Sequence, residues 1–153
     1  MTSTDNDIEL DRIFEEAMIA RDAGDFEKAK FLCLDIIAKL GDTDRRFLAV
    51  THCQLGWIHY QVGELPHAEH HYRLSVHYAP KAELASLGLF HAYVKQDRWR
   101  EAMEEAIRYL CLRDSAEYRS VFEFEGFGDD FEGPVADLLA EALRLLAEWR
   151  QRN

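Results

Sequence analysis

A six-residue signature that recurs three times is the feature of this sequence that most limits how the chain can fold. The copies are Gly24-Asp-Phe26-Glu-Lys-Ala29, Gly63-Glu-Leu65-Pro-His-Ala68 and, with the glycine replaced, Asp97-Arg-Trp99-Arg-Glu-Ala102. They are spaced 39 and 34 residues apart, and a period near 34 with a small residue at the helix crossing is typical of helical-hairpin repeats. The sequence therefore predicts an all-α chain built from about three stacked helix pairs.

The middle copy shows why this signature makes a hairpin. Gly63 is suited to end a helix, because glycine adopts the left-handed conformation without a Cβ clash. Pro66 suits the first turn of the next helix, where its missing N–H group is no loss. Ala68 in that helix and Gly56 in the preceding one are small, so we expect the two helices to approach closely at these positions. Pro80 ends the unit.

These residues resemble the tetratricopeptide repeat family. The resemblance covers roughly residues 8 to 114 and is best in the middle copy, whereas the first and third copies are degenerate, as terminal units of an array often are. It implies helix pairs over residues 8–41, 46–80 and 82–114 in a single domain of residues 1–153. It also implies a protein-binding module, since the curvature of such arrays makes a concave surface that holds other polypeptides.

The helical pattern lapses after the third copy and then returns. Residues 115–133 are predicted to extend a helix and then form a loop, because the segment from Glu125 to Gly133 holds three glycines and has no helical period. A C-terminal helix is predicted over residues 134–151, where apolar residues recur at spacings of three and four. That stripe is Val135, Leu138, Leu139, Ala142, Leu143, Leu146 and Trp149. We expect the helix to cap the last pair; dimerisation or partner binding is the alternative.

Composition and cysteine usage narrow the class of protein. The 48% hydrophobic content excludes a disordered chain. The polar, acidic N-terminus does not predict a secretion signal, and no apolar run approaches the roughly 18 residues of a membrane span, so we expect a soluble cytoplasmic protein. The three cysteines are widely spaced, which argues against a disulfide framework and against a zinc site. We expect Cys33 and Cys111 to be buried as small core residues.

No motif for catalysis or for a cofactor is present. The sequence lacks a GxSxG elbow and a phosphate loop, so we predict neither enzymatic activity nor a cofactor. His67, His70 and His71 invite a metal hypothesis, but no ligand of convincing spacing accompanies them. We expect these histidines to lie at an exposed helix start, with no metal site. An enzyme or metal protein of a kind not yet catalogued is the alternative from a different functional class.

The charge distribution favours a basic partner. The net charge of −11 divides into −7 for residues 1–44, +2 for residues 45–113 and −6 for residues 114–153. Such a chain would repel nucleic acid and anionic lipid and attract a basic protein. The alternative is that the acidic residues serve solubility alone.

Two surfaces are candidates for binding that partner. The resemblance implies that the first helix of each pair lines a concave groove. The groove residues expected to bind are Phe14, Met18, Trp57, Tyr60, Gln61, His91 and Lys95. The second candidate is the acidic, aromatic loop and its approach, where Glu123, Glu125, Phe127, Asp129 and Asp130 would grip a folded basic surface. In the alternative interpretations, the C-terminal helix fills the groove, and the loop phenylalanines plug the core beneath a solvated acidic rim.

Small acidic members of the resembled family suggest two functions. One is an immunity protein that neutralises a cognate toxin, often a basic nuclease. The other is a chaperone or adaptor that holds an extended peptide of a secreted protein in the groove. We favour the immunity protein, because acidic flanks and an acidic, aromatic loop suit a folded basic surface. The identity of the partner and the oligomeric state stay open.

Overall fold

A computed structural model describes residues 3–152 and divides the chain into two compact units between Ala79 and Pro80. Within these residues there are eight α-helices and no strands, packed in neighbouring pairs, so the prediction of an all-α hairpin array is confirmed. The helices are α1 (Ser3–Asp22), α2 (Phe26–Leu40), α3 (Arg45–Gln61), α4 (Leu65–Tyr78), α5 (Glu83–Lys95), α6 (Trp99–Leu110), α7 (Ala116–Phe122) and α8 (Gly133–Arg152). No helix in this range has the length and apolar character to cross a membrane.

The three signature copies form turns of one geometry. Gly24 and Gly63 both have a φ of +79°, and Asp97 adopts the same left-handed region with a φ of +59°. In each turn the N–H group of the next residue donates to the carbonyl five residues earlier, at 2.8–2.9 Å, which satisfies the end of the preceding helix. The signature alanines Ala29 and Ala68, like Ala102, are fully buried. The recurring pattern therefore specifies one hairpin three times.

The first unit contains α1 to α4. α1 packs on α2, α3 packs on α4, and α2 packs on α3. Its core is layered: large side chains fill the open end of the first hairpin, and alanines lie near its turn. The layers are Leu10, Ile13, Ile36, Leu40 and Leu48; then Ala17, Cys33 and Leu55; then Ala20, Ala29 and Ile58. Cys33 is fully buried, as predicted, and burial raises the pKa of its thiol to about 11.

The second unit contains α5 to α8. α5 packs on α6, and α8 packs on α6 and α7 as a C-terminal cap. The Trp149 indole nitrogen of α8 donates to the carbonyl of Leu110 at 2.7 Å, which ties the two helices together at the end of α6.

Two predictions for this unit are wrong. The apolar stripe predicted for α8 includes Leu143, which is 37% exposed, and omits Leu145, which is buried; the buried residues of the helix are Ala142, Leu145 and Leu146. Cys111 is exposed and not buried, because it lies just beyond the last residue of α6, where the chain turns away from the helix pair.

Candidate partner-binding surface

Helix α7 positions the acidic loop, and a buried polar network anchors α7. The Ser115 hydroxyl caps the helix by accepting from the Tyr118 N–H group at 3.0 Å. The Tyr118 hydroxyl lies 2.8 Å from the Ser86 hydroxyl of α5, and Ser86 donates to a carboxylate oxygen of Glu105 in α6 at 2.7 Å. Because all three groups are buried, breaking this chain would leave polar atoms without partners.

Arg108 neutralises the buried carboxylate of that network. Its guanidinium donates to both oxygens of Glu105, at 2.8 and 2.7 Å, and to the carbonyl of Pro80 at 2.9 Å. The hydrogen bond to Glu105 raises the pKa of Arg108, so the guanidinium stays protonated. α5, α6 and α7 are thus held in fixed positions where the loop begins.

The loop between α7 and α8 is a series of tight turns. The N–H groups of Phe127, Asp129 and Phe131 each donate to the carbonyl three residues earlier, at 2.9–3.3 Å. Gly128 has a φ of +78°, and a Cβ atom there would lie 2.3 Å from a Leu139 methyl carbon of α8. Only glycine satisfies both conditions, so the loop backbone lies directly against α8.

The loop encloses a depression of about 340 Å³ with an aromatic floor. Trp99, the aromatic residue of the third signature copy, lies 5.1 Å from Phe131 and 6.0 Å from Phe127 between ring centroids. Phe127 also packs on Phe122 at 5.5 Å. Phe124 lines the depression but is 72% exposed. We call this depression, with its lining residues, the loop pocket.

Carboxylates without partners surround that floor. Glu125, Asp129 and Asp130 line the loop pocket and are exposed, and no basic residue lines it. Within residues 3–152, none of these three carboxylates forms an ion pair. Glu123 differs, because it binds Arg119 at 3.1 Å and Arg150 at 2.5 Å. The loop pocket thus carries three negative charges that nothing in the described chain neutralises.

The structure therefore separates the loop residues that the sequence analysis grouped. It brings Glu125, Phe127, Asp129 and Asp130 together in one pocket, and it places Glu123 in an ion-pair cluster outside the lining. Both sequence interpretations of the phenylalanines apply in part, since Phe127 packs inward while Phe124 does not. Trp99 is a residue of this surface that was not predicted to bind, and the signal that could have found it is its position in the third signature copy, in the helix pair that precedes the loop.

The groove residues of the first unit form an aromatic face between α1 and α3. Phe14 meets Phe47 edge to face at 5.7 Å, and Met18 is half-buried against the Ala17 layer. Trp57 is 39% exposed. Tyr60 is half-buried and Gln61 is exposed.

Trp57 is already in contact with the protein's own side chains. The Arg21 guanidinium lies over its ring at 5.6 Å, and Phe26 contacts its edge at 6.1 Å. Arg21 also donates to Gln54 at 2.5 Å and pairs with Asp22 at 2.8 Å. One face of the Trp57 ring is therefore occupied by an intramolecular cation.

The two groove residues of the second unit are both exposed. The His91 ring contacts the edge of the Phe90 ring at 5.4 Å, and Lys95 lies in the last turn of α5. Within this unit α8 packs mainly on α6 and α7.

A larger depression in the first unit is a weaker candidate. It measures about 700 Å³ and is lined by Asn6, Asp7, Glu9, Leu10, Lys39, Leu40, Thr43, Asp44 and Phe47. Its charges are partly neutralised within the chain, since Lys39 binds Glu9 at 3.5 Å, while Asp44 accepts from the Phe47 N–H group and caps α3. It also contains none of the residues predicted to bind.

The histidines of α4 do not all lie where the sequence analysis placed them. His67 and His70 are exposed at the helix start, as expected, but His71 is half-buried against α3. Among residues 3–152 no three ligand-type side chains are grouped so that they could hold a metal ion.

No protein-family model and no curated protein matches this sequence. Membership of the tetratricopeptide repeat family therefore stays a prediction. Inferences about function therefore depend on the residues and on the geometry of the two surfaces.

Proposed function

We propose that the protein is a non-enzymatic binding module that captures a specific basic protein partner through the loop pocket. The observation that carries the proposal is the combination of an aromatic floor with the unpaired carboxylates of Glu125, Asp129 and Asp130. A chain with a net charge of −11 attracts basic proteins at long range, and the loop pocket supplies a place where one could be held.

A lysine or arginine side chain matches this pocket in two respects. Its aliphatic stem would cover aromatic surface such as the exposed ring of Phe124. Its charged end would meet the carboxylates of the rim and the faces of the aromatic rings, which attract cations. A polypeptide that presents a protruding basic side chain is therefore the expected partner.

The state of the two surfaces favours an immunity protein over a chaperone. A chaperone or adaptor would hold an extended peptide against residues such as Phe14 and Trp57, but Arg21 already covers one face of Trp57. The loop pocket is accessible and opposite in charge to a basic toxin surface. Masking such a surface is the action of an immunity protein, so the proposed role is neutralisation of a basic toxin.

The proposal can be tested with a defined pair of probes. A tetra-arginine peptide is titrated into ¹⁵N-labelled protein, and a tetra-citrulline peptide of the same shape without charge is the control. We expect the arginine peptide alone to shift the Trp99 indole and Gly126 amide signals. Equal shifts with the citrulline peptide, or arginine-induced shifts located elsewhere, would contradict the proposal.

A matched pair of double variants separates the loop pocket from net charge. Asp129→Asn with Asp130→Asn and the control Glu16→Gln with Asp42→Asn each remove two exposed carboxylates, changing the net charge from −11 to −9. We expect the loop variant to bind the arginine peptide at least about fivefold more weakly than the control. Equal weakening of peptide binding in both double variants would indicate that the acidic residues serve solubility alone.

A third variant tests the chaperone alternative. Trp57→Ala with Tyr60→Ala removes two aromatic side chains of the predicted groove in the first unit, and its folding is checked by circular dichroism before binding is measured. We expect peptide binding to be retained, because these residues lie outside the loop pocket. Loss of binding only in this variant would favour the chaperone.

A further inference from the structure

A continuous column of aromatic rings lines the seam between α3 and α4. Going from the turn to the open end of the hairpin, His67 contacts His59 at 5.1 Å, His59 contacts His71 at 5.3 Å, and His71 contacts His52 at 5.3 Å. Tyr78 continues the series, at 5.9 Å from His52. We call the four imidazoles the histidine column. His52 and His59 are buried, so the seam is largely closed to water.

The centre of the column is a direct hydrogen bond between two imidazoles. The Nδ1 atoms of His52 and His71 are 3.0 Å apart. Adding the radii of the two rings to this 3.0 Å separation gives about the 5.3 Å measured between the ring centroids. The two rings therefore meet edge to edge. One Nδ1 must donate and the other must accept. The bond therefore survives only while at least one of the two nitrogens is unprotonated.

The groups that face the column do little to balance added positive charge. From α2, Lys30 reaches the carboxylate of Glu64, which lies 3.4 Å from Nδ1 of His59. At the other end the Arg45 guanidinium of α3 lies over the ring of Tyr78 at 5.3 Å. His70 of α4 contacts His71 at 5.2 Å. The column is thus bounded by Lys30 and Arg45, with Glu64 as the carboxylate that reaches it.

We infer that the histidine column is an acid switch: protons entering it place like charges in a closed seam, and the α3–α4 hairpin opens together with its packing on α2. The second unit contains one histidine, His91, whose pKa is also lowered by burial although the residue is largely exposed. Mild acid should therefore act much more strongly on the first unit, where several such imidazoles lie together, than on the second.

The protonation equilibria point in the same direction. Burial lowers the pKa of His52 to about 4 and that of His71 to about 3. Burial also lowers the pKa of His59, although the nearby carboxylate of Glu64 opposes this. An unfolded chain binds these protons near pH 6.5, so the unfolded state holds more protons than the folded state below that pH. Stability of the first unit therefore falls as the pH drops from about 6.5, by up to about tenfold in the folding equilibrium constant per histidine and pH unit.

Hydrogen exchange on the unmodified chain at pH 7 and pH 5 tests the inference. This window ends above the usual pKa of carboxylates, so the acids stay largely ionised. After correction for intrinsic exchange rates, we expect protection of α3 and α4 to fall at least about a hundredfold, and protection of α6 and α8 to fall much less. Unchanged protection in α3 and α4, or an equal loss in both units, would overturn the inference.

Matched variants identify the responsible imidazoles. His52→Gln with His71→Gln keeps two side chains that can hydrogen-bond to each other but cannot be protonated, and we expect it to lose much less protection at pH 5 than the parent does, with His59 causing the remainder. The control His77→Gln with His91→Gln also removes two imidazoles, both outside the column, and should lose protection like the parent. The same response in both variants would assign the switch to other groups.

Imidazole NMR of the parent protein keeps the inference testable if the glutamine variant does not fold. At pH 5 the folded form should show neutral rings at His52 and His71. Charged rings within an intact hairpin would overturn the inference. The loop pocket contains no histidine, so this outcome is independent of the test with the arginine peptide.

Discussion

At the scale of single residues, backbone conformation and residue type agree at two of the three hairpin turns and conflict at the third. Gly24, Gly63 and Asp97 all have positive φ. Glycine adopts this conformation without strain, whereas an L side chain there costs roughly 1–2 kcal/mol. Aspartate is one of the residues that tolerate it, because its short side chain bonds to nearby backbone groups. The third turn thus keeps its shape at some cost in stability.

Opposite substitutions at two of these turns should have opposite effects. Gly63→Ala should lower the free energy of unfolding by about 1 kcal/mol, because no atom lies within 4 Å of the added Cβ and the backbone strain is the whole cost. Asp97→Gly should raise it by up to about 1 kcal/mol, because the strain is removed. Urea unfolding followed by circular dichroism measures both. Shifts of the same sign would show that φ does not govern these positions.

At the scale of helices, the three hairpins share a register but divide side-chain volume differently where the helices cross. Equivalent buried positions hold Ala17 with Cys33, Gly56 with Tyr72, and Phe90 with Ala106. The large residue is therefore in the second helix of the middle hairpin and in the first helix of the third. Because it is large, Phe90 reaches the rings of Tyr118 and Phe122 in α7, at 5.4 and 5.8 Å. The large residue at this position of α5 therefore provides the surface on which α7 packs.

Gly56→Ala should destabilise the middle hairpin. The added Cβ would lie 2.8–2.9 Å from ring atoms of Tyr72 close to its own backbone, and these cannot move without shifting α4. The overpacking should exceed the gain in helix propensity and lower the unfolding free energy by roughly 1–2 kcal/mol.

A double-mutant cycle with Tyr72→Ala, which removes Cγ and both Cδ atoms, checks the cause of that effect. The alanine should be tolerated once the ring is gone, so the two substitutions should not be additive. An additive cycle would place the strain elsewhere.

At the scale of the whole molecule, the acidic residues differ in whether they form ion pairs within the chain. Many carboxylates are paired within the chain, such as Glu123 with Arg150 and Glu141 with Arg144. Glu125, Asp129 and Asp130 are left around the loop pocket. The net charge of −11 therefore combines a general surplus with one local cluster that lies beside aromatic surface. The general surplus should guide a basic partner, and the local cluster should hold it.

Salt should separate these two roles. Between 0.05 and 0.5 M NaCl the Debye length shrinks to a few Å, so association with a fluorescent tetra-arginine peptide should slow by about tenfold or more. Dissociation should change less, because it reflects contacts inside the pocket. Stopped-flow kinetics measure both rates. An association rate indifferent to salt would contradict electrostatic steering.

The amino-acid sequence by itself determined the helical elements and their turns. Local rules were sufficient there: Gly24 and Gly63 end helices, Pro66 follows a helix start, and buried alanines recur at the crossings. Each depends on a few neighbouring residues and on a period that is visible in the sequence. The same rules misplaced Cys111 and Leu143, because the rotation of a helix about its own axis depends on what packs against it.

Only the tertiary structure decided which side chains share a surface. Trp99 and Phe131 are far apart in sequence yet form one aromatic floor. Glu123 does not share the unpaired state of the other loop carboxylates, because Arg150 of α8 donates a hydrogen bond to it. His52 and His71 lie 19 residues apart and become partners only because α3 and α4 run antiparallel. Contacts between distant residues carry no local signature, since they depend on how far and at what angle each helix returns.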